Sequence, residues 1–303
     1  MDEAIASKGL DAAAIVRRAR RLRFRVRAEA VSALSGAYLG SRPGIGLTFA
    51  EIRAYEPGDD VRHLDWNVTA RQGRPYVRRF TEERSLTLWL VVDVSASQRF
   101  GPEGRSKADR AAQAAALLAA AAIQNGDRAG LILVSDRIEL EFLPKGGARH
   151  LAKIVRALVT SPAVSRKTDL AAGITRLGRS RRRALTVVLS DYLEVGNPAS
   201  WRAVSRRNEV VALRMIEPRE ENLPNVGLID LQNAETGARS VVDSSSRRVR
   251  DAYAKAAIER RTAFRSWCGE AGVTGHDIST DEDPITPLLR MFRGRTRERS
   301  RPR

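Results

Sequence analysis

The sequence predicts an α/β protein: a doubly wound, mostly parallel sheet with helices on both faces, preceded by a helix and a short-strand and turn segment. Three observations predict it. Nearly uninterrupted apolar runs at Leu86–Val92, Ala129–Val134 and Ala184–Leu189 have the length and composition of strands covered on both faces, and Glu209–Ile216 reads as a further strand. Segments with helical periodicity separate them, as a parallel sheet with right-handed crossovers requires. Ahead of the first run, the Gly- and Pro-punctuated texture from Gly36 to Arg84 belongs to turns and short strands instead.

Taken in order, Leu10–Leu34 reads as a helix with Ile15, Val16, Leu22, Phe24, Val26 and Val31 among many arginines. Such a helix either docks its apolar stripe on the body or lies on acidic lipid, a peripheral membrane contact. Within Gly36–Arg84, opposite charges crowd Arg53–Trp66 and suggest a turn stapled by Arg–carboxylate pairs. Ser106-Lys107-Ala108-Asp109 is a capping-box signature opening an Ala-rich buried helix to about Gln124. Ile138–Phe142 alternates with period two, as in a half-exposed edge strand paired antiparallel through Ser135–Arg137. Ala148–Val159 and the segment from Thr168-Asp169 to Leu177 read as helices, the latter ended by Gly178. Ala199–Arg207 is a further helix, and Gly227–Gln232 with Ala238–Asp243 a hairpin insertion. Arg247–Glu270 is a long helix carrying Tyr253, Ala257, Phe264, Trp267 and Cys268 on one side, before a short closing strand and Pro287–Phe292. The expected divisions are 1–35 (basic amphipathic helix), 36–84 (packed on the main domain), 85–293 (the sheet domain) and 294–303 (a disordered basic tail).

Composition narrows the function classes. With 303 residues, 43% of them hydrophobic, the chain can bury a sizeable core. The net charge of +17 is carried almost wholly by arginine, since only six of the 53 basic residues are lysine. Basicity admits nucleic acid, acidic lipid or acidic protein as partners without choosing among them. Cys268 is the only cysteine, which fits a reducing compartment. The first residues lack a signal-peptide pattern, and the longest apolar stretch, Ala114–Ile123, is shorter than the ~20 residues of a membrane span. The expectation is a cytoplasmic protein without a transmembrane segment.

The chemistry gathers where strands end. Asp93, Ser95 and Ser97 follow the first core run, Thr168 precedes a helix, and Asp191 follows the Ala184–Leu189 run. Ligands of open α/β sheets sit outside the carboxyl ends of the strands. Hard oxygen donors of this kind suit Mg²⁺ or Mn²⁺. Singly, each has an ordinary alternative: Thr168 or Asp169 as a helix cap, Asp191 as a turn residue. Catalytic signatures are missing. Position 95 holds Ser where an aspartate-nucleophile phosphatase needs a second Asp, and no nucleophile elbow or glycine-rich phosphate loop occurs. His63, His150 and His276 are scattered. Aromatics, at 5%, do not interleave the basic runs, so no stacking platform for nucleic acid emerges.

In order and spacing, the five donors resemble the von Willebrand factor type A domain, whose metal-ion-dependent adhesion site uses Asp-x-Ser-x-Ser, then a Thr, then an Asp. The resemblance implies that Ser95, Ser97 and Thr168 coordinate Mg²⁺ (or Mn²⁺), with Asp93 and Asp191 acting directly or through water. One position stays open for a partner's carboxylate. Upstream, Arg53-x-Tyr55-x-Pro57-Gly58-Asp59-Asp60-x-Arg62-x-x-Asp65-Trp66, then Ala70-Arg71 and Phe80-x-x-Glu83, looks like the signature of the family called domain of unknown function 58. In that family the signature directly precedes a type A domain. The resemblance implies a metal-dependent protein-binding adaptor, not an enzyme, paired with a MoxR-type AAA+ ATPase and a client protein. A metal-dependent hydrolase on the same site and non-specific nucleic-acid binding are the alternatives. Tyr55, Pro57, Gly58, Asp59, Asp60, Arg62, Asp65, Trp66 and Arg71 would brace the structure or, secondarily, contact a partner.

Overall fold

In the computed structural model the described residues are 33–38, 48–61, 64–81, 86–160, 165, 167–178, 184–234 and 236–299. They fall into two compact units, one within Arg42–Ser85 and the other made of the rest. Of the basic helix expected over Leu10–Leu34, residues 10–32 lie outside the described residues; residues 33–38 form α1, which runs past Leu34 to a buried Tyr38.

The smaller unit holds β1 (Thr48–Ala54) antiparallel to β2 (Tyr76–Thr81), with α2 (Trp66–Gln72) between them. Asp65 caps α2 by accepting from the Asn67 and Val68 amides, and Gly73 ends it in the left-handed conformation. The expected staple is present. Arg53 Nη2 meets Asp59 Oδ1 at 2.7 Å and Nη1 lies 3.4 Å from Glu56, while Asp59 Oδ2 accepts the Glu56 amide.

The larger unit is a six-stranded sheet of order β10-β7-β6-β3-β4-β5. Its strands are β3 (Thr87–Asp93), β4 (Arg128–Val134), β5 (Ile138–Lys145), β6 (Leu185–Ser190), β7 (Glu209–Ile216) and β10 (Thr274–Ser279). All neighbours are parallel except β4 and β5, which pair antiparallel at the edge. This is the doubly wound α/β fold. β3 is central, with β4 and β6 on its two sides, and its alternation sorts the core into two layers. Leu88, Leu90 and Val92 face one cluster, formed with α3 (Lys107–Gln124), α4 (Ala148–Thr160) and α9 (Ile285–Arg299). Trp89 and Val91 face the other, formed with α5 (Leu170–Gly178), α6 (Pro198–Ser205) and α8 (Arg247–Ala271). Cys268 is a buried member of that second cluster. A short α7 (Pro218–Glu221) follows β7, and β8 (Leu228–Gln232) with β9 (Arg239–Asp243) form the hairpin.

The disordered tail expected from 294 is corrected as far as Arg299, where α9 ends. Leu288, Met291 and Phe292 are fully buried, and Phe292 meets Tyr38 edge-to-face at 5.5 Å. Those anchors carry the cost of nucleation, so the helix propagates through arginines that would not start one.

Gly130 on β4 is required by a close approach. A Cβ there would stand 2.6 Å from Trp89 Cε3 and 3.1 Å from the Phe142 carbonyl oxygen. With a buried ring on one side and backbone on the other, Gly130→Ala is expected to destabilise by about 1–3 kcal/mol, as overpacking does. Urea denaturation with an unshifted midpoint would show that the ring has room to move.

Candidate functional site

β3→α3→β4 winds to one side of β3, and the chain later returns through β6 on the other. The carboxyl ends of β3 and β6 therefore flank the topological switch point, where open α/β sheets leave a crevice. Asp93 ends β3, and Ser190 ends β6. Ser190 Oγ donates to Asp93 Oδ2 at 2.6 Å, so a hydrogen bond joins the two strand ends.

The turn after β3 wraps its polar groups inward. Ser95 N–H donates to Asp93 Oδ1 (2.9 Å), Gln98 Nε2 donates to Asp93 Oδ2 (3.2 Å), and the Ser95 and Ser97 hydroxyls stand 3.2 Å apart. A 3-10 turn over Ala96–Arg99 sets this spacing and buries Ser97 and Gln98. Gly101, at φ 134°, then lets the chain fold back on the start of α3. A Cβ there would be 2.8 Å from Ser106 Cα. Ser106 and Asp109 form the capping box, as their spacing indicated.

Ser165, ahead of α5, is tied to the turn after β3, because Ala96 N–H donates to its carbonyl at 3.2 Å. Asp169, not Thr168, does the turn work at the start of α5, its Oδ1 accepting the Ala171 amide. The Thr168 hydroxyl is left buried with no hydrogen-bond partner among the described residues. A buried polar atom of this kind is costly unless something satisfies it.

Burial dominates the electrostatics. Asp93 is 1% exposed, and burial, with help from the nearby Asp191 charge, pushes its carboxyl up to about 6 against the hydrogen bonds from Ser190 and Ser95. Asp191 has a different environment. Its Oδ2 receives the Lys107 ammonium at 2.8 Å, and the same ammonium donates to Glu220 Oε1 at 2.7 Å. Burial would lower the Lys107 pKa, but the two carboxylates outweigh it and hold it above the ordinary lysine value. Glu220 is pushed up by burial in spite of the ammonium. Next to Asp191, Tyr192 adopts φ +51°, a strained conformation for a bulky side chain. Its ring is locked among Trp201, Phe264 and Trp267, its hydroxyl donates to the Val188 carbonyl, and its amide donates to Ser190 Oγ. Packing behind the sheet thus fixes the direction of the β6 turn.

Asp93, Ser95 and Ser97 are therefore joined in one cluster with Gln98 and Ser190, with Asp191 one residue further on, and Thr168 follows three residues after Ser165, whose carbonyl accepts the Ala96 amide. Gln98, Ser190, Lys107 and Glu220 were not singled out from the sequence. Lys107 alone left a signal, as a lysine at the amino end of a helix in an arginine-rich chain. No three His, Cys, Asp or Glu side chains gather as metal ligands among the described residues, so a cation here would depend on hydroxyl donors. The donor set fits a hard cation on its own evidence: paired serine hydroxyls, an unpartnered buried threonine hydroxyl and a carboxylate crowded by a second one.

In the smaller unit, Asp59 and Asp65 hold turns, the Tyr55 amide donates to the Pro75 carbonyl, and Gly58 takes a positive φ of 110° that suits glycine. Pro57, Asp60 and Arg71 are exposed, and Trp66 is 71% exposed. Arg62 lies outside the described residues.

The family model described as "Protein of unknown function DUF58" matches residues 51–263. The chain belongs to the DUF58 family. A relative in Mycobacterium tuberculosis, "Uncharacterized protein Rv1480", is 35% identical over 92% of this chain and 89% of its own. Among solved structures, an aerotolerance-related membrane protein from Bacteroides fragilis aligns over 71% of this chain and all of that one, at 16% identity and TM-score 0.45. A von Willebrand factor type A protein from Catenulispora acidiphila aligns over 72% of this chain and 43% of that one, at 13% identity and TM-score 0.37. In this DUF58 chain the matched region takes in the signature of the smaller unit, both ends of the switch-point crevice and most of α8. No helix among the described residues is long and apolar enough to cross a membrane.

Proposed function

We propose that this protein is a metal-dependent protein-binding adaptor, with the switch-point crevice as its docking point. The observation that carries the reading is the gathering of Asp93, Ser95 and Ser97 at the end of β3, supported by a Thr168 hydroxyl that is buried and unpartnered among the described residues, three residues beyond the Ser165 carbonyl that accepts the Ala96 amide. Ser95, Ser97 and Thr168 would hold Mg²⁺ or Mn²⁺, with Asp93 and Asp191 in support. When bound, the cation supplies a coordination position for an acidic side chain of the partner. The protein's own residues orient and shield that point. Ser190 and Gln98 hold the Asp93 carboxylate, Tyr192 fixes the β6 turn, and the exposed Phe100 and Leu193 offer apolar contact just beyond the two strand ends. The chain's net charge of +17 favours an acidic partner surface and speeds encounter. Ser95 in place of a second aspartate, with Asp93 almost fully buried, favours binding over hydrolysis.

By the family resemblance, the partner is a MoxR-type AAA+ ATPase, and the pair would remodel a client protein in the cytoplasm. Asp93→Ala and Thr168→Ala are expected to abolish capture of that ATPase in Mg²⁺, as EDTA should with the unaltered protein, while circular dichroism stays unchanged. Capture that survives both substitutions and the chelator would refute the docking mechanism.

A further inference from the structure

Lys107 is the first residue of α3, and its side chain is 0% exposed. That is an unfavourable place for a cation. The amino end of a helix already carries partial positive charge, and full burial removes hydration. Only the anions explain it, Asp191 Oδ2 at 2.8 Å and Glu220 Oε1 at 2.7 Å. Asp191 is thereby used up, since its Oδ1 accepts the Leu193 amide at 3.3 Å. The carboxylate of Asp93 is held instead by neutral donors, from Ser95, Ser190 and Gln98. The crevice thus contains one carboxylate neutralised by a tethered ammonium beside one that is not.

We infer that Lys107 sets the cation affinity of this crevice, its ammonium acting as a built-in competitor for Asp191. The inference rests on the metal-site reading above and says which residue tunes it. Asp191, Lys107 and Glu220 together carry one net negative charge. Removing the ammonium raises that to two and frees Asp191, whereas neutralising Glu220 leaves none and gives Lys107 to Asp191 alone. The site as built is therefore a weak holder of divalent cations, which keeps a position electrophilic for a partner's carboxylate.

The test is direct Mn²⁺ binding to the full chain, followed by electron paramagnetic resonance of the free ion. Lys107→Met is expected to tighten Mn²⁺ by about tenfold or more, and Glu220→Gln to weaken it by about threefold, as expected for a unit charge close by. Damage to the fold would weaken binding in both, so tightening in the first variant cannot be structural. If the unaltered protein binds Mn²⁺, loses it in Asp93→Ala, and Lys107→Met binds no tighter, the inference fails and the metal site stands. If neither the unaltered protein nor Lys107→Met binds, the metal site itself is wrong. Binding seen only in Lys107→Met would support the inference in its strongest form. Should Lys107→Met not fold, Glu220→Gln decides, and unchanged or tighter binding there overturns the inference.

Discussion

Replacing Lys107 by methionine is expected to cost about 3–5 kcal/mol of folding stability at neutral pH in urea denaturation, the usual loss when one member of a buried ion pair is removed. The stem fits either way, so the loss comes from charge. Asp191 and Glu220 remain where Lys107 held them, now close together without the ammonium between them. Adding Glu220→Gln to the same chain should recover part of the loss, because one of the stranded carboxylates is gone. A single substitution costing less than about 1 kcal/mol, the level of a solvent-exposed pair, would mean that water reaches the ammonium.

A second large effect is expected from Asp93→Asn, read as stability against pH in EDTA. Asp93 titrates at about 6 in the folded protein, against an ordinary value of 3.8. The folded state therefore holds this proton more tightly than the unfolded chain. The stability it contributes is fully present below about pH 3.8 and is lost as pH rises through about 6, a difference on the order of 3 kcal/mol. The neutral amide of the variant carries no such slope. That amide can also be accommodated. Its oxygen still accepts the Ser95 amide, and rotation of the Gln98 amide turns its unpartnered Oε1 toward the new donor. Wild-type and variant curves that stay parallel from about pH 4 to about pH 7 would show that Asp93 is ionised throughout. With Mg²⁺ added, the adaptor reading expects the wild-type slope to shrink, as a bound cation replaces the proton.

How much of this was legible differs between elements for physical reasons. β3 and β6 announce themselves because strands covered on both faces must be apolar at every position. The edge strand β5 is equally legible, since one half-exposed face imposes alternation. Ser106 and Asp109 declare the start of α3 because capping is local. The tail of α9 was not legible. Arginines following Phe292 look like a solvated end until Tyr38, far earlier in the chain, is known to pack on that helix turn.

The sequence by itself determined that Asp93, Ser95, Ser97, Thr168 and Asp191 stand at the ends of strands or the start of a helix, because each lies within a few residues of a boundary that hydrophobic patterning marks. It also determined the turn chemistry of Arg53–Trp66, where Asp59 and Asp65 act on backbone a few residues away. Only the tertiary structure decided what charge those donors feel. Asp191 and Glu220 lie 84 and 113 residues from Lys107 along the chain. The three meet because β7, β6 and β3 lie side by side and α3 starts over their carboxyl ends. Electrostatic strength depends on distance and burial in the folded state, and neither is written in local pattern.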